Sequence, residues 1–409
     1  MFRKKILRLV ITFILLFCIC GAKSLSPREM DLNTIKLILD KYHPNPYINI
    51  SEKEFLDKIK KLNGTMTNTQ FYYGLRELVS LIEDSHTSID FINSQTKYET
   101  IHALDFAIAE FDNKWYLFIA NKDNEKLLGQ ELLLINSTTI QAAFEKALKI
   151  IPNDNIFWAK NNFSNTINFQ EALIYLGIAS PNEPVILTLK SKDGKISKME
   201  TAAYSSEQIN QMNIVQYQPK IYAPTQLKKN YYYWANPLRN QTFFIQYNIC
   251  RENPQFPMDE FAKTIKQELK KNKYKKIIID LRYNTGGNSE VISPLLKMLK
   301  DQQNIQKFKV YTLIGSSTFS SAVLNTWDTK TILNSTLVGT PTGGNINHFG
   351  EVRSVQLTSL PLVMNYSTKY FNIVPNYTKG AIYPDVKVNQ LLEDYNNGID
   401  SPVEWIIIQ

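Results

Sequence analysis

Cysteine is scarce in this chain of 409 residues: there are three, and Cys18 and Cys20 fall within the first 24 positions. Without that segment Cys250 stands alone, no intrachain disulfide can form, and a disulfide-built extracellular module is excluded. An excess of positive charge is also missing. The formal net charge of +8 owes much to Arg3, Lys4, Lys5, Arg8 and Lys23; without these five, 41 bases face 38 acids, a balance of +3, and nucleic-acid binding loses its electrostatic support. Histidine is limited to His43, His86, His102 and His348, and no His/Cys/Glu cluster has ligand spacing, so neither a metal nor an organic cofactor is expected. Internal repeats and low-complexity stretches are absent.

Long apolar runs are lacking too. The longest, residues 9–22, has 14 residues, below the roughly 20 needed to span a bilayer, and it follows Arg3, Lys4, Lys5 and Arg8. Residues 1–24 therefore read as a secretory signal cut after Ser24, with Ala22 as the second choice; an uncleaved leader, which would keep the protein near a membrane, is the alternative. Bulky Ile19 makes Cys20 a poor lipidation site. Export with one remaining cysteine fits a bacterial periplasm, cell envelope or secreted location. The 385 residues that follow are enough for two or three domains.

From residue 25 to 88 the pattern is helical. Ile35, Leu39 and Tyr42 share one face, Phe55, Ile59 and Leu62 another, with Pro44 and Pro46 between them, and Phe71, Leu75, Leu78, Val79 and Ile82 continue at three and four spacing. Residues 89–204 read as a small β-rich module. Its strands lie at 115–120, 131–135 and 185–190, with a helix inserted at about 139–151 and a polar stretch at 153–168 separating them. Residues 205–242 lack periodicity and read as a linker. Residues 243–409 alternate strands and helices, with the run Ile277, Ile278, Ile279 typical of a buried parallel strand, so this part is α/β.

In such sheets sites form where strand ends meet helix starts, which directs attention to Asn284-Thr285-Gly286-Gly287-Asn288 and Thr318-Phe319-Ser320-Ser321-Ala322. Taken singly, the glycines read as an ordinary turn and the serines as helix caps. The stretch from Gly339 to Asn345 is superficially like a phosphate loop, but Asn345 stands where that motif needs lysine, and nucleotide binding is rejected. Tyr231, Tyr232, Tyr233 and Trp234 suit either an extended peptide or domain packing. Cys250 reads as a buried core thiol.

In combination these segments resemble the tail-specific, or C-terminal processing, serine peptidase family. Asp280-Leu281-Arg282-Tyr283-Asn284-Thr285-Gly286-Gly287, Thr318-Phe319-Ser320-Ser321-Ala322, Gly339-Thr340-Pro341-Thr342-Gly343-Gly344, Gly380-Ala381-Ile382-Tyr383-Pro384-Asp385 and Gly398-Ile399-Asp400 carry the likeness at fitting spacing. Upstream, Glu83-Asp84-Ser85-His86-Thr87 is similar to the signature of the tricorn-like branch, and Leu128-Gly129-Gln130-Glu131-Leu132 to the family's PDZ-like module. The resemblance implies an α/β fold with a crotonase-like spiral core at 243–409, an N-terminal helical cap at 25–88 and a PDZ-like β-rich domain at 89–204. It implies a serine endopeptidase acting on protein or peptide substrates, with Ser320 as nucleophile, His86 as general base and Ser85 as the branch's second serine. Gly286, Gly287 and Ser321 would furnish the oxyanion hole.

Two departures stand out. Asn345 occupies the place of the processing branch's lysine, and residues 376–379 hold no acid where the family has glutamate; Glu351 and Asp84 are the candidate substitutes, and either also reads as a solvated or capping carboxylate. His348 is the second candidate base; His43 and His102 read as packing and surface residues. If His86 is the base, its Nε2 should lie about 2.6–3.2 Å from Ser320 Oγ, and activity should fall between about pH 7 and 6. A non-catalytic peptide-binding protein on the same fold is the alternative, and an acyl-transfer or hydratase enzyme a weaker third.

Overall fold

The computed structural model describes residues 24–409; residues 1–23 of the expected leader lie outside the described residues. Three helices, Pro27–Tyr42, Glu52–Leu62 and Asn68–Ser80, open the fold, each started by a reciprocal capping box: Ser26 with Glu29, Ser51 with Glu54 and Thr67 with Gln70. Their apolar faces bury Ile35, Leu39, Phe55, Phe71, Leu75 and Leu78, whereas Tyr42, expected on the first buried face, is 39% exposed. Among the described residues no helix is long and apolar enough to cross a membrane.

The middle of the chain forms a sheet in the order Ile214–Gln216, Lys114–Asn121, Glu131–Ile135, Val185–Lys190, Ile196–Thr201, with Phe106–Phe111 also paired to Lys114–Asn121. The inserted helix is Ile140–Ala147. The stretch expected to be merely polar is a helix, Ile156–Ile167, capped by Asn155 and burying Ala159, Phe163 and Ile167. Within the stretch read as a linker, Ile214–Gln216 pairs with Lys114–Asn121, and Tyr233–Leu238 forms the edge of the next sheet.

That sheet has six strands in the order Tyr233–Leu238, Thr242–Tyr247, Lys276–Asp280, Lys309–Ile314, Thr336–Gly339, Val386–Lys387, all parallel except the first pair. The unbroken Ile277, Ile278, Ile279 run reflects cover on both faces. Ile277 and Ile279 pack with Phe261, Ile265, Leu295 and Leu299 of the helices Met258–Lys271 and Ser293–Gln306. Ile278 packs on the other side with Val403, Ile406 and Ile407 of the final helix. Because the strands are parallel, the ends at Asp280, Ile314 and Gly339 share one edge.

From that edge a long hairpin, His348–Gln356 and Leu362–Phe371, leaves the sheet and pairs with Ser88–Phe91. Its Leu362, Met364 and Tyr366 join the core of the three N-terminal helices. Asp31 on the first helix accepts hydrogen bonds from the backbone N–H groups of Thr358 and Ser359 at the hairpin tip (2.7 and 2.9 Å). The N-terminal helices and this hairpin are thus tied together beside the parallel sheet.

Candidate active site

Asp280 ends its strand in a fork with Arg282, whose guanidinium also grips Asp400 (2.8 and 2.7 Å). This buried triad fixes the departure of the turn that follows. Asn284 then organises the turn. Its Nδ2 donates to the Tyr247 carbonyl (3.0 Å), its Oδ1 accepts the Gly286 N–H (2.9 Å), and its carbonyl accepts the Phe319 N–H (3.0 Å). Gly286 and Gly287 adopt φ of 106° and 133°, a region side chains avoid. A Cβ on Gly286 would lie 2.7 Å from Ser320 Cβ, and one on Gly287 would lie 2.2 Å from the Cys250 carbonyl oxygen. Glycine is required at both positions by close approach.

Ser320 stands at the start of the helix Ser321–Leu333 with φ 52° and ψ −128°, strained for a side-chain-bearing residue, and makes no capping bond. The two adjacent serines differ. The Ser321 hydroxyl donates to the Gly287 carbonyl (2.7 Å), while the Ser320 hydroxyl has no hydrogen bond among the described residues. The backbone donors differ in the same way. The Gly286 N–H, expected to face an oxyanion, is consumed by Asn284; the N–H groups of Gly287 and Ser321 have no partner among the described residues.

His86 is brought here by the pairing of Ser88–Phe91 with Leu362–Phe371 immediately downstream. Its ring stacks on Phe319 (centroids 4.5 Å apart) and, less closely, on His348 (5.6 Å); Phe319 in turn stacks on Trp158 (3.8 Å). Both His86 ring nitrogens are buried without a hydrogen bond, so the expected contact between Nε2 and Ser320 Oγ is not made. Burial holds the His86 pKa down to about 4, against a partial lift from Asp84, whose Oδ1 lies 3.8 Å from Nδ1. An acid limb set by His86 in this position would therefore fall well below the pH 7 to 6 expected from an unperturbed imidazole. His348 donates from Nδ1 to the Asn345 carbonyl (2.9 Å) and is also shifted down by burial.

The carboxylates are arranged differently from expectation. Glu351 is exposed on the hairpin with no hydrogen bond or ion pair from its side chain among the described residues. Asp84 is buried and accepts from Thr87 Oγ1 (2.5 Å), Ser367 Oγ (2.6 Å), His43 Nε2 (3.2 Å) and the His86 N–H (2.9 Å). Those donors hold its pKa low against burial. His43 is accordingly a buried partner of Asp84 as well as cap packing. A second carboxylate, passed over in the sequence, meets Ser85: the Ser85 hydroxyl donates to Asp154 Oδ1 (2.6 Å). Burial raises the Asp154 carboxyl to about 6. The only trace in the sequence is its place just before the Asn155 cap.

Asn345 binds this second carboxylate's segment. Its Nδ2 donates to the Asp154 carbonyl (3.0 Å) and its Oδ1 accepts from Asn155 Nδ2 (2.9 Å). Cys250 is buried with its thiol pushed up to about 12, as expected of a core residue. Tyr233 and Trp234 are buried in their strand, and Tyr231 is exposed.

Residues 252–309 match the model of peptidase family S41, a segment that contains the Gly286-Gly287 turn and stops before Ser320. Among solved structures the chain is similar to mature CPAF complexed with lactacystin, with a TM-score of 0.63 at 12% identity over 93% of this chain and 96% of that one. It is similar to mature CPAF in a second structure at 0.62 and 14% identity, over 92% and 95%. The tricorn protease aligns more loosely, with a TM-score of 0.40 at 13% identity over 93% of this chain and 36% of that one. No curated protein matches the chain. The chain thus carries a sequence match to peptidase family S41 across the strand, helix and glycine turn of residues 252–309, and it shares a fold with CPAF over nearly the whole length of both chains.

Proposed function

We propose that the protein is an exported endopeptidase in which Ser320 is the nucleophile and His86 the general base. The observation that carries this reading is the strained, unbonded Ser320 beside two uncommitted N–H groups, with Gly286 closing against its Cβ. Ser320 Oγ attacks the peptide carbonyl and passes its proton to His86; the N–H groups of Gly287 and Ser321 receive the oxyanion; collapse expels the amine, which takes the proton back. Water then releases the acyl group from Ser320 by the same route. Each oxyanion donor is worth about 3–4 kcal/mol when aligned. The bond between His86 and Ser320 forms when substrate binds, in keeping with catalytic hydrogen bonds that tighten only in the substrate complex. His348 is the weaker candidate base because it stacks on His86, with its Nδ1 committed to Asn345.

The same reading takes the parallel-sheet region as a crotonase-like core, the middle sheet as a PDZ-like module that engages protein or peptide substrates, and residues 1–24 as the export signal. A non-catalytic peptide-binding role is the second reading, favoured by the absent hydrogen bond between His86 and Ser320. Reaction with a fluorophosphonate probe separates the two. Labelling at Ser320, abolished in Ser320→Ala with the fold intact, supports the enzyme; a folded wild-type chain that never labels supports the binding protein.

A further inference from the structure

Ser85 and His86 are neighbours on one loop, and the loop is anchored from two sides by carboxylates of different kinds. Asp84 fixes it from within: its oxygens accept from Thr87, Ser367, His43 and the His86 N–H. The other anchor comes from the middle module. Asp154 accepts the Ser85 hydroxyl at 2.6 Å across 69 residues of sequence. Its own position is fixed by Asn345, whose Nδ2 donates to its carbonyl and whose N–H lies 3.4 Å from its Oδ2. Asn155 ties the same segment to the Gly343 carbonyl (2.7 Å), and Trp158 stacks on Phe319, the residue before Ser320. The His86 ring has no hydrogen bond of its own, so its orientation depends on these anchors and on stacking.

We propose that Asp154 is a positioning residue for His86, acting through Ser85, and that its ionisation sets the acid limit of the enzyme. The proposal rests on the serine-peptidase reading and deepens it. An ionised Asp154 accepts the Ser85 hydroxyl as a charge-assisted bond; a protonated one competes as a donor and weakens that anchor. The groups around it are Asp84, whose negative charge opposes ionisation, the Ser85 hydroxyl and the Asn345 N–H, which favour it, and Glu83, His348 and Lys379 on the wall of a shared cavity of about 350 Å³. With burial outweighing the donors, the carboxyl titrates near pH 6, above His86 in its stacked position. Residues from the helical cap, the middle module and the parallel-sheet region then act as one catalytic unit.

The test is the rate of Ser320 labelling by a fluorophosphonate probe between pH 4.5 and 8, on the full chain. The wild-type rate should fall through a midpoint near pH 6. Asp154→Asn should label about tenfold more slowly at pH 8 and lose the step near pH 6, while Asp154→Glu should restore a step. Ser85→Ala, which keeps both carboxylates, should also lose the step, and it serves where the Asp154 variant does not fold. A merely structural role for Asp154 would lower stability without moving the step. An Asp154→Asn variant that keeps the step, alongside inactive Ser320→Ala and His86→Ala, overturns the role of Asp154 alone and leaves Asp84 as the acid. A wild-type chain that does not label overturns this inference together with the peptidase reading.

Discussion

Asp154→Asn removes one charge from a place where the fold is poor at holding it, and the consequence for stability has the opposite sign to that for activity. The carboxyl titrates at about 6 in the folded chain against an ordinary 3.8. A tenfold change in proton affinity between the folded and unfolded chain is worth about 1.4 kcal/mol, so keeping the group ionised above pH 6 costs the native state up to about 3 kcal/mol, and about 2 kcal/mol after its partial exposure is allowed for. Because the folded pKa is raised, the folded chain binds more protons than the unfolded one between about pH 4 and 6, and stability declines as pH rises through that window. Asparagine keeps the acceptor for Ser85 and lacks the charge. The variant should therefore melt higher than the wild type at pH 8, by about 4–8 °C if about 2–4 °C accompany each kcal/mol, with the gap shrinking to nothing near pH 4. Scanning calorimetry at several pH values measures it. A gap that is flat with pH, or an asparagine variant less stable at pH 8, would refute the dominance of burial at this carboxyl.

Two further substitutions probe the surroundings. Gly286→Ala, with φ at 106° and a new Cβ 2.7 Å from Ser320 Cβ, should lower Ser320 labelling at least about 100-fold and cost about 1–3 kcal/mol; wild-type labelling would show that the turn yields easily. Asp84→Ala orphans the donors of His43, Thr87, Ser367 and His86, and should cost about 3 kcal/mol or more in denaturant unfolding at pH 7. Since the Asp84 pKa is lowered by folding, its contribution is present above the ordinary carboxylate range and is lost as pH falls through the folded value. The gap between wild type and variant should close in acid, opposite to the trend for Asp154.

Some strands were legible where β-branched and aliphatic residues ran together: Glu131–Ile135 and Val185–Lys190 lie at the positions expected from the residues alone, whereas Phe106–Phe111 and Leu362–Phe371 were not foreseen. The helix Ile156–Ile167 was not, because Asn161, Asn162, Ser164, Asn165 and Thr166 give it a weak intrinsic preference, and packing of Ala159, Phe163 and Ile167 decides it instead. At the site, Ser320 and the glycine turn follow strand ends, where attention was directed, although each alone reads as an ordinary cap or turn. The carboxylates have no such cue: Asp154 meets Ser85 only through tertiary contact, and nothing local distinguishes it from the chain's 37 other acids. The engagement of the Gly286 N–H had a local cue, an asparagine two residues before, which forms a side-chain turn with that very donor.

The pairing of Ser88 with Asn365 joins segments separated by most of the chain, and with it comes the order in which the protein can become competent. Contacts of such long span are made late, since much of the loop-closure entropy must be overcome before they form. A ribosome-bound chain that has not yet produced the hairpin Leu362–Phe371 holds Ser85, His86 and even Ser320 without the strand that brings them together. Partial translation products therefore lack the assembled site, and its completion waits until that strand has been made.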